Sequence, residues 1–336
     1  MTEINTLTQF LTTAQTQFQI YDLGRKVQHI DMMTFSKIES LESPYPFPIQ
    51  GHAQFAIVFW NQEKQPYIWF VKLALDEQGL LLPSARSQFI QMILEALGRD
   101  PTQHLSEQQQ QALANNPFSF KPTQEKLAVF NALVRKQLNL PASSQYETAV
   151  QYLSGQIAKE NWQDVGLQGI ADICIRYNQL NHENYLMSGL ETAALEVKIA
   201  LCQCLENISI SEKLADRLLT QFYSADNEYQ LYFFRALSSH FASSSEAFIS
   251  LSQQNKLSDS ALITIAARNW SLLRDDELRT IFLEALAHQS QHFFNQVFAD
   301  IVAIPSLRHK VLAELRNPDR SNQLSQAIGG LFKATS

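Results

Sequence analysis

Apolar residues recur at helical spacing along most of this chain, and alternate in only one region near its start. Residues 3 to 15 carry Ile4, Leu7, Phe10, Leu11 and Ala14 at intervals that predict a helix. Phe18 and Ile20 then alternate with polar residues. The glycine of "DLGR" suits a tight turn, so a first hairpin is predicted, 17–21 against 26–30. Asp31 can cap a short helix with Phe35, Ile38 and Leu41 on one side, and the prolines of "SPYPFP" end it.

The stretch "AQFAIVFWNQEKQPYIWFVKLAL", 53–75, is a second hairpin closed by the loop "NQEKQP". Phe55, Ile57 and Phe59 share one face with Tyr67, Trp69, Val71 and Leu73; Ala56, Val58 and Trp60 share the other with Ile68 and Phe70. A sheet with one wet face alternates apolar with polar. This one does not, so both faces need a cover. The helices over 3–15 and 84–97, the latter with Ser84 as its cap, can cover one. For the other the candidates are the helix over 123–138, with Thr123 as its cap, the helical repeats or a second chain; the helix is expected to supply most of the cover through Phe130 and Val134.

From about 145 onward only helices are predicted. The segments "DVGLQGIADI" (164–173), "EVKIALCQCL" (196–205), "EYQLYFFRAL" (228–237) and "ELRTIFLEAL" (277–286) each open on an acid and close on an apolar residue. Their starts lie 32, 32 and then 49 residues apart; "DSALITIAARNW", near the expected fourth position, fits the pattern poorly. A period of 20 to 50 residues points to stacked helix pairs. The expected core positions are Leu201, Leu205, Phe233, Leu237, Phe282 and Leu286. The fold class that follows is an α+β N-terminal domain, with a small antiparallel sheet and helices, then an all-α helical-repeat domain. The expected domains are 1–100, a connector 101–144 whose helix 123–138 packs on the first domain, and 145–336.

Composition narrows the function classes. Ten glycines in 336 residues argue against glycine-rich nucleotide loops. The net charge of −7, with no basic stripe, argues against nucleic acid, although Lys121, Lys126, Arg135 and Lys136 could gather on one surface. The three cysteines, Cys174, Cys202 and Cys204, read as buried small hydrophobes in a reducing compartment. No apolar run is long enough for a membrane span and the start shows no leader, so a cytoplasmic location is expected.

Candidate chemistry is sparse. No phosphate loop, dinucleotide fingerprint, nucleophile elbow or H-E-x-x-H motif occurs. His288 and His292 have the spacing of one helical turn, but no third ligand is marked nearby, and no metal or other cofactor is expected. Three polar residues stand out as candidate binding groups. Asp22 and Arg25 flank the turn of "YDLGR", where they could pair across it. Lys72 interrupts an apolar strand, either as an edge-strand lysine or as one that meets a carboxylate.

The pieces "FQIYDLGRKV", "ESPYPFPIQGHAQFAIVFW", "YIWFVKLALDEQGLLLPSAR" and "FKPTQEKLAVFNAL" resemble a gammaproteobacterial family known only as a domain of unknown function. The C-terminal half resembles HEAT-like helical repeats in pattern. Neither resemblance implies an activity. The leading expectation is therefore a non-enzymatic adaptor that binds a protein partner through a helical-repeat surface. The alternatives are an enzyme or small-molecule binder with an interdomain pocket, and a nucleic-acid-associated helical-repeat protein.

Overall fold

In the computed structural model the described residues are 4–61, 66–98, 101, 107 and 116–335. Glu63 and Lys64 of the hairpin loop, and most of the glutamine-rich connector, lie outside them. The chain divides into two compact units: Met1–Pro122 with Ala299–His309, and Thr123–Phe298 with Lys310–Ser336. The helix expected on the N-terminal domain groups with the second unit.

The first unit is built on a four-stranded antiparallel sheet of order β2-β1-β3-β4, with β1 Gln17–Asp22, β2 Gln28–Ile30, β3 His52–Trp60 and β4 Tyr67–Ala74. Helix α1 (Leu7–Thr13) starts where the Thr6 side chain accepts from Gln9 N, and α2 (Met32–Glu39) where Asp31 accepts from Thr34 N. Helix α3 (Pro83–Leu97) does not use Ser84 as a cap: Leu82 holds that position and Pro83 opens the first turn, where its missing N–H costs nothing. Phe55, Ile57, Phe59, Val71 and Leu73 form one core with apolar residues of all three helices, as the alternation predicts. On the opposite face Ala56 and Val58 are also fully buried. The outer edge of β4 is paired: Lys72 N donates to Phe118 O (2.7 Å) and Phe120 N to Phe70 O (3.3 Å). That pairing removes an open strand edge and brings the Phe120 ring to 6.1 Å from Phe70.

The second unit contains no strand among its described residues. Its helices alternate between two layers. Helices α4 (Gln124–Gln137), α6 (Leu167–Ile175), α8 (Leu195–Leu205), α10 (Asn227–Ala236) and α12 (Asp259–Ala267) pack in that order to form one layer. The other consists of α5 (Tyr146–Leu153), α7 (His182–Thr192), α9 (Glu212–Ser224), α11 (Phe241–Gln253) and α13 (Asp276–Ala287). Helices α14 (Gln291–Ala303), α15 (Pro305–Glu314) and α16 (Asn322–Thr335) follow. Leu201, Leu205, Phe233, Leu237, Phe282 and Leu286 are all buried. The repeat register needs a correction. The segment at 277–286 belongs to α13 in the second layer, whereas the poorly fitting segment near 260 is α12, next after α10 in the first. Helices α8, α10 and α12 start at 195, 227 and 259, keeping the 32-residue step.

A polar column marks this register. Arg176, Asn207, Ser238 and Asn269 stand 31 residues apart just beyond the ends of α6, α8, α10 and α12, and all four are buried. Ser238 Oγ donates to Glu206 O (3.1 Å), and Asn269 Nδ2 to Phe234 O (3.0 Å). The first serves a carbonyl at the end of α8; the second shares the Phe234 carbonyl with Leu237 N, which also donates to it (3.2 Å). The Glu206 carboxylate, almost fully buried, accepts from Arg235 and stands 3.0 Å from Arg268, so one acid ties three successive levels together. Among the described residues no helix is long and apolar enough to cross a membrane.

Candidate functional site

The nominated turn is a buried lock. Asp22 is fully buried; its Oδ1 accepts from Gly24 N (3.1 Å) and from the Tyr45 hydroxyl (2.7 Å), and its Oδ2 from Lys26 N (3.2 Å). The carboxylate thus closes its own turn, as an aspartate at this position can. Gly24 sits in a close approach, since a Cβ there would stand 3.1 Å from Ile49 Cγ2 and 3.3 Å from Phe47 O. Burial first, and then the Asp22 charge, hold the Tyr45 hydroxyl well above its ordinary pKa, so Tyr45 remains a donor. Arg25 is fully buried; its Nε donates to Pro48 O (2.7 Å) and its Nη2 to Asp300 Oδ2 (2.8 Å) and Asp300 O (3.2 Å). The other oxygen of Asp300 accepts from Gln50 N (3.2 Å). These bonds pin the turn, the proline-rich segment and residue 300 together.

Lys72 lies half-buried on the second face of the hairpin, opposite Gln54. Among the described residues its ammonium group has no ion-pair partner. His288 caps the end of α13 and His292 lies on α14, both exposed, so they do not share a helix. The break comes at Ser290, whose hydroxyl accepts from Phe293 N (3.3 Å) to open the next helix. The three cysteines are buried. Burial, and a hydrogen bond to Cys204, push the Cys174 thiol well above its usual pKa, which keeps it protonated and unreactive. Among the described residues no group of three or more His, Cys, Asp or Glu side chains could hold a metal ion.

A second polar cluster surrounds the end of α6. His182 Nδ1 donates to Arg176 O (2.8 Å), which leaves its Nε2 to accept from the Tyr146 hydroxyl (2.7 Å). Arg176 pairs with Asp172 (2.7 Å), and Lys136 Nζ donates to Ile175 O (2.6 Å). Burial, and then the Arg176 charge, lower the Lys136 pKa. Three cationic or donor groups therefore meet the carbonyl end of one helix, where the dipole favours them. This arrangement caps a helix.

A hollow flanked by exposed apolar side chains lies in the second layer, between α9 and α11. Helix α11 buries Ser243, Ser244, Ala247, Phe248 and Leu251. Its opposite face keeps Phe241 and Ile249 exposed, 52% and 38%. These two, with Ser245 between them, recur every fourth residue and so share that face. Across from it Tyr223, at the end of α9, is 48% exposed. A hollow of about 440 Å³ is lined by Tyr223, Ala242, Ser245, Glu246, Ile249 and Ser250, with Gln253. The Tyr223 hydroxyl donates to Glu246 Oε1 (2.9 Å). Partial burial, then this carboxylate, raises the Tyr223 pKa and keeps the donor in place. Ser245 Oγ makes no hydrogen bond to any described residue. The lining thus combines the small side chains of Ala242, Ser245 and Ser250 with the larger Tyr223 and Ile249. The residue pattern of "FASSSEAFISLSQ" carried the signal, as a second apolar stripe of Phe241 and Ile249 on an otherwise polar face.

Residues 2–332 match one family model, described as Protein of unknown function (DUF3549). No curated protein and no solved structure matches the chain.

Proposed function

We propose that this chain, which belongs to the DUF3549 family, is a non-enzymatic interaction protein that binds a protein partner in the cytoplasm. On this reading its second unit is a HEAT-like stack, and the partner docks on the layer of α5, α7, α9, α11 and α13. The observation that carries the reading is the hollow between α9 and α11. Singly exposed apolar residues are ordinary; Tyr223 and Ile249 instead line one concavity, and Phe241 is exposed on the same helix as Ile249. Fully burying a side chain of this size gains about 1.5–3 kcal/mol. The two that line it, already about half covered, would contribute on the order of 2 kcal/mol, a central contact that a polar rim could complete.

The test is site-specific photo-crosslinking in the native host. A crosslinker in place of Ile249 should give a discrete adduct of one mass. The same group at Ile263, 50% exposed on α12 in the other layer, should not. Equal adducts at both positions, or none at either, would remove the hollow as the docking point.

A further inference from the structure

The charge of this protein is distributed unevenly between its two helical layers. The layer of α5, α7, α9, α11 and α13 holds nine carboxylates against three cations, Lys213, Arg217 and Arg279. The layer of α4, α6, α8, α10 and α12 holds five of each. The second layer therefore accounts for a net −6 of the chain's −7. Of its three cations, Arg279 is buried against Glu314 (2.8 Å) and Arg217 is paired with Glu191 (2.9 Å), while Lys213 is exposed; Asp276 is met by Arg279 and by Lys310 (3.0 Å each). Seven of the nine carboxylates are exposed.

The acids also run into the hollow. Glu212, Asp216, Thr220 and Tyr223 are all exposed and stand four, four and three residues apart, so they form one stripe of α9 that ends at the hollow's aromatic wall. Glu246 stands in the lining itself, one turn from Ile249. The Tyr223 hydroxyl occupies its Oε1, while Oε2 has no hydrogen-bond partner among the described residues. An apolar hollow with acids at its edge, on an acidic layer, fits an apolar side chain flanked by lysine or arginine. It repels phosphate-bearing ligands.

Resting on the reading above, we infer that the occupant of this hollow is a basic amphipathic helix of a partner protein. One of its apolar residues sits between Tyr223 and Ile249, and its lysines or arginines face Glu246 and Asp216. Helix α11 has 13 residues and is about 20 Å long, so a partner helix of three to four turns matches its length. The small side chains of Ala242, Ser245 and Ser250 let the partner backbone come close.

The experiment uses the full chain and three labelled 15-residue peptides that share one leucine-rich face. Their polar faces carry lysine, glutamine or glutamate, and binding is read by fluorescence anisotropy. At low salt the lysine peptide should bind at least about tenfold tighter than the glutamine peptide, and the glutamate peptide weakest. The advantage should shrink several-fold at 0.3 M salt, because exposed charges are screened over about 10 Å already at 0.1 M. Ile249→Ser should weaken the lysine and glutamine peptides alike. Glu246→Lys should weaken the lysine peptide about tenfold and the glutamine peptide little. Glu147→Lys, the same charge change at an exposed site on α5 of the same layer, should have a much smaller effect. If the lysine and glutamine peptides bind equally and both lose affinity with Ile249→Ser, the hollow docks helices but the basic partner is wrong. If no peptide binds below 0.1 mM, both readings fall. If Glu147→Lys matches Glu246→Lys, the attraction is diffuse and the hollow is not its site.

Discussion

Replacing Asp300 by alanine removes the carboxylate that a fully buried arginine reaches across 275 positions of sequence. The Arg25 side chain is 0% exposed and the Asp300 side chain 21% exposed, with 2.8 Å between Nη2 and Oδ2. At that burial the surface rule for ion pairs, about 0–1 kcal/mol, does not apply. Removing one partner of a buried pair costs about 3–5 kcal/mol, because the remaining charge has lost its water and its counter-charge. Asp300 keeps some water contact, so the lower end applies, about 3 kcal/mol, set against a domain stability of roughly 5–15 kcal/mol. The assay is urea unfolding followed by tryptophan fluorescence, with hydrogen exchange on residues 20–30 to localise the loss to the first unit. The double variant Arg25→Met, Asp300→Leu leaves no charge behind and should regain at least half of the loss, which gives the cycle a clear coupling energy. A loss below about 1 kcal/mol in Asp300→Ala, or singles that add in the double variant, would refute the lock.

Tyr45→Phe deletes only the hydroxyl that donates to Asp22 (2.7 Å); a hydrogen bond to a charged group contributes about 1.5–3 kcal/mol, so thermal melts should show that loss with unchanged circular dichroism. Gly169→Ala should destabilise, although alanine in a helix normally gains about 1 kcal/mol. The new Cβ would collide with the Gln145 carbonyl, whose carbon lies 2.8 Å away, and would stand 3.0 Å from Ala149 Cβ; an increase in melting temperature would contradict this packing. Glu39 is buried and accepts from Leu7 N (2.7 Å), Thr8 N (3.0 Å) and the Thr8 hydroxyl, yet burial outweighs these bonds and raises its pKa. Between the unfolded and folded pKa values the native state holds a proton that the unfolded chain has released, so this group's stabilisation, complete below the unfolded value, is lost as pH rises through the folded one. Melting temperatures from pH 4 to 8 should fall more steeply for the native protein than for Glu39→Gln, and parallel curves would rule the linkage out.

Local pattern alone specified a great deal. Period-two alternation sorted the hairpin residues onto two faces, and both proved buried at Phe55, Ile57 and Val58, because a strand sends successive side chains to opposite sides whatever surrounds it. The 3.6-residue period likewise picked out the six core residues of the helical region. The repeat register was half legible. Three copies were found by their opening acid and closing leucine or isoleucine, but α12 closes on Ala267 and Arg268, so a segment from the opposite layer replaced it. Layer identity is decided by which helices stack, and amphipathicity looks alike in both. Tertiary structure alone decided the rest. Arg25 stood out as a residue of a turn, and it also reaches Asp300, a contact that no local pattern could indicate. The acidic layer was equally hidden, since the chain alternates helices between layers and mixes their charges along the sequence. Backbone geometry acts between neighbours and can be read from them; ion pairing, layer charge and concavity act through space, and exist only once the helices have stacked.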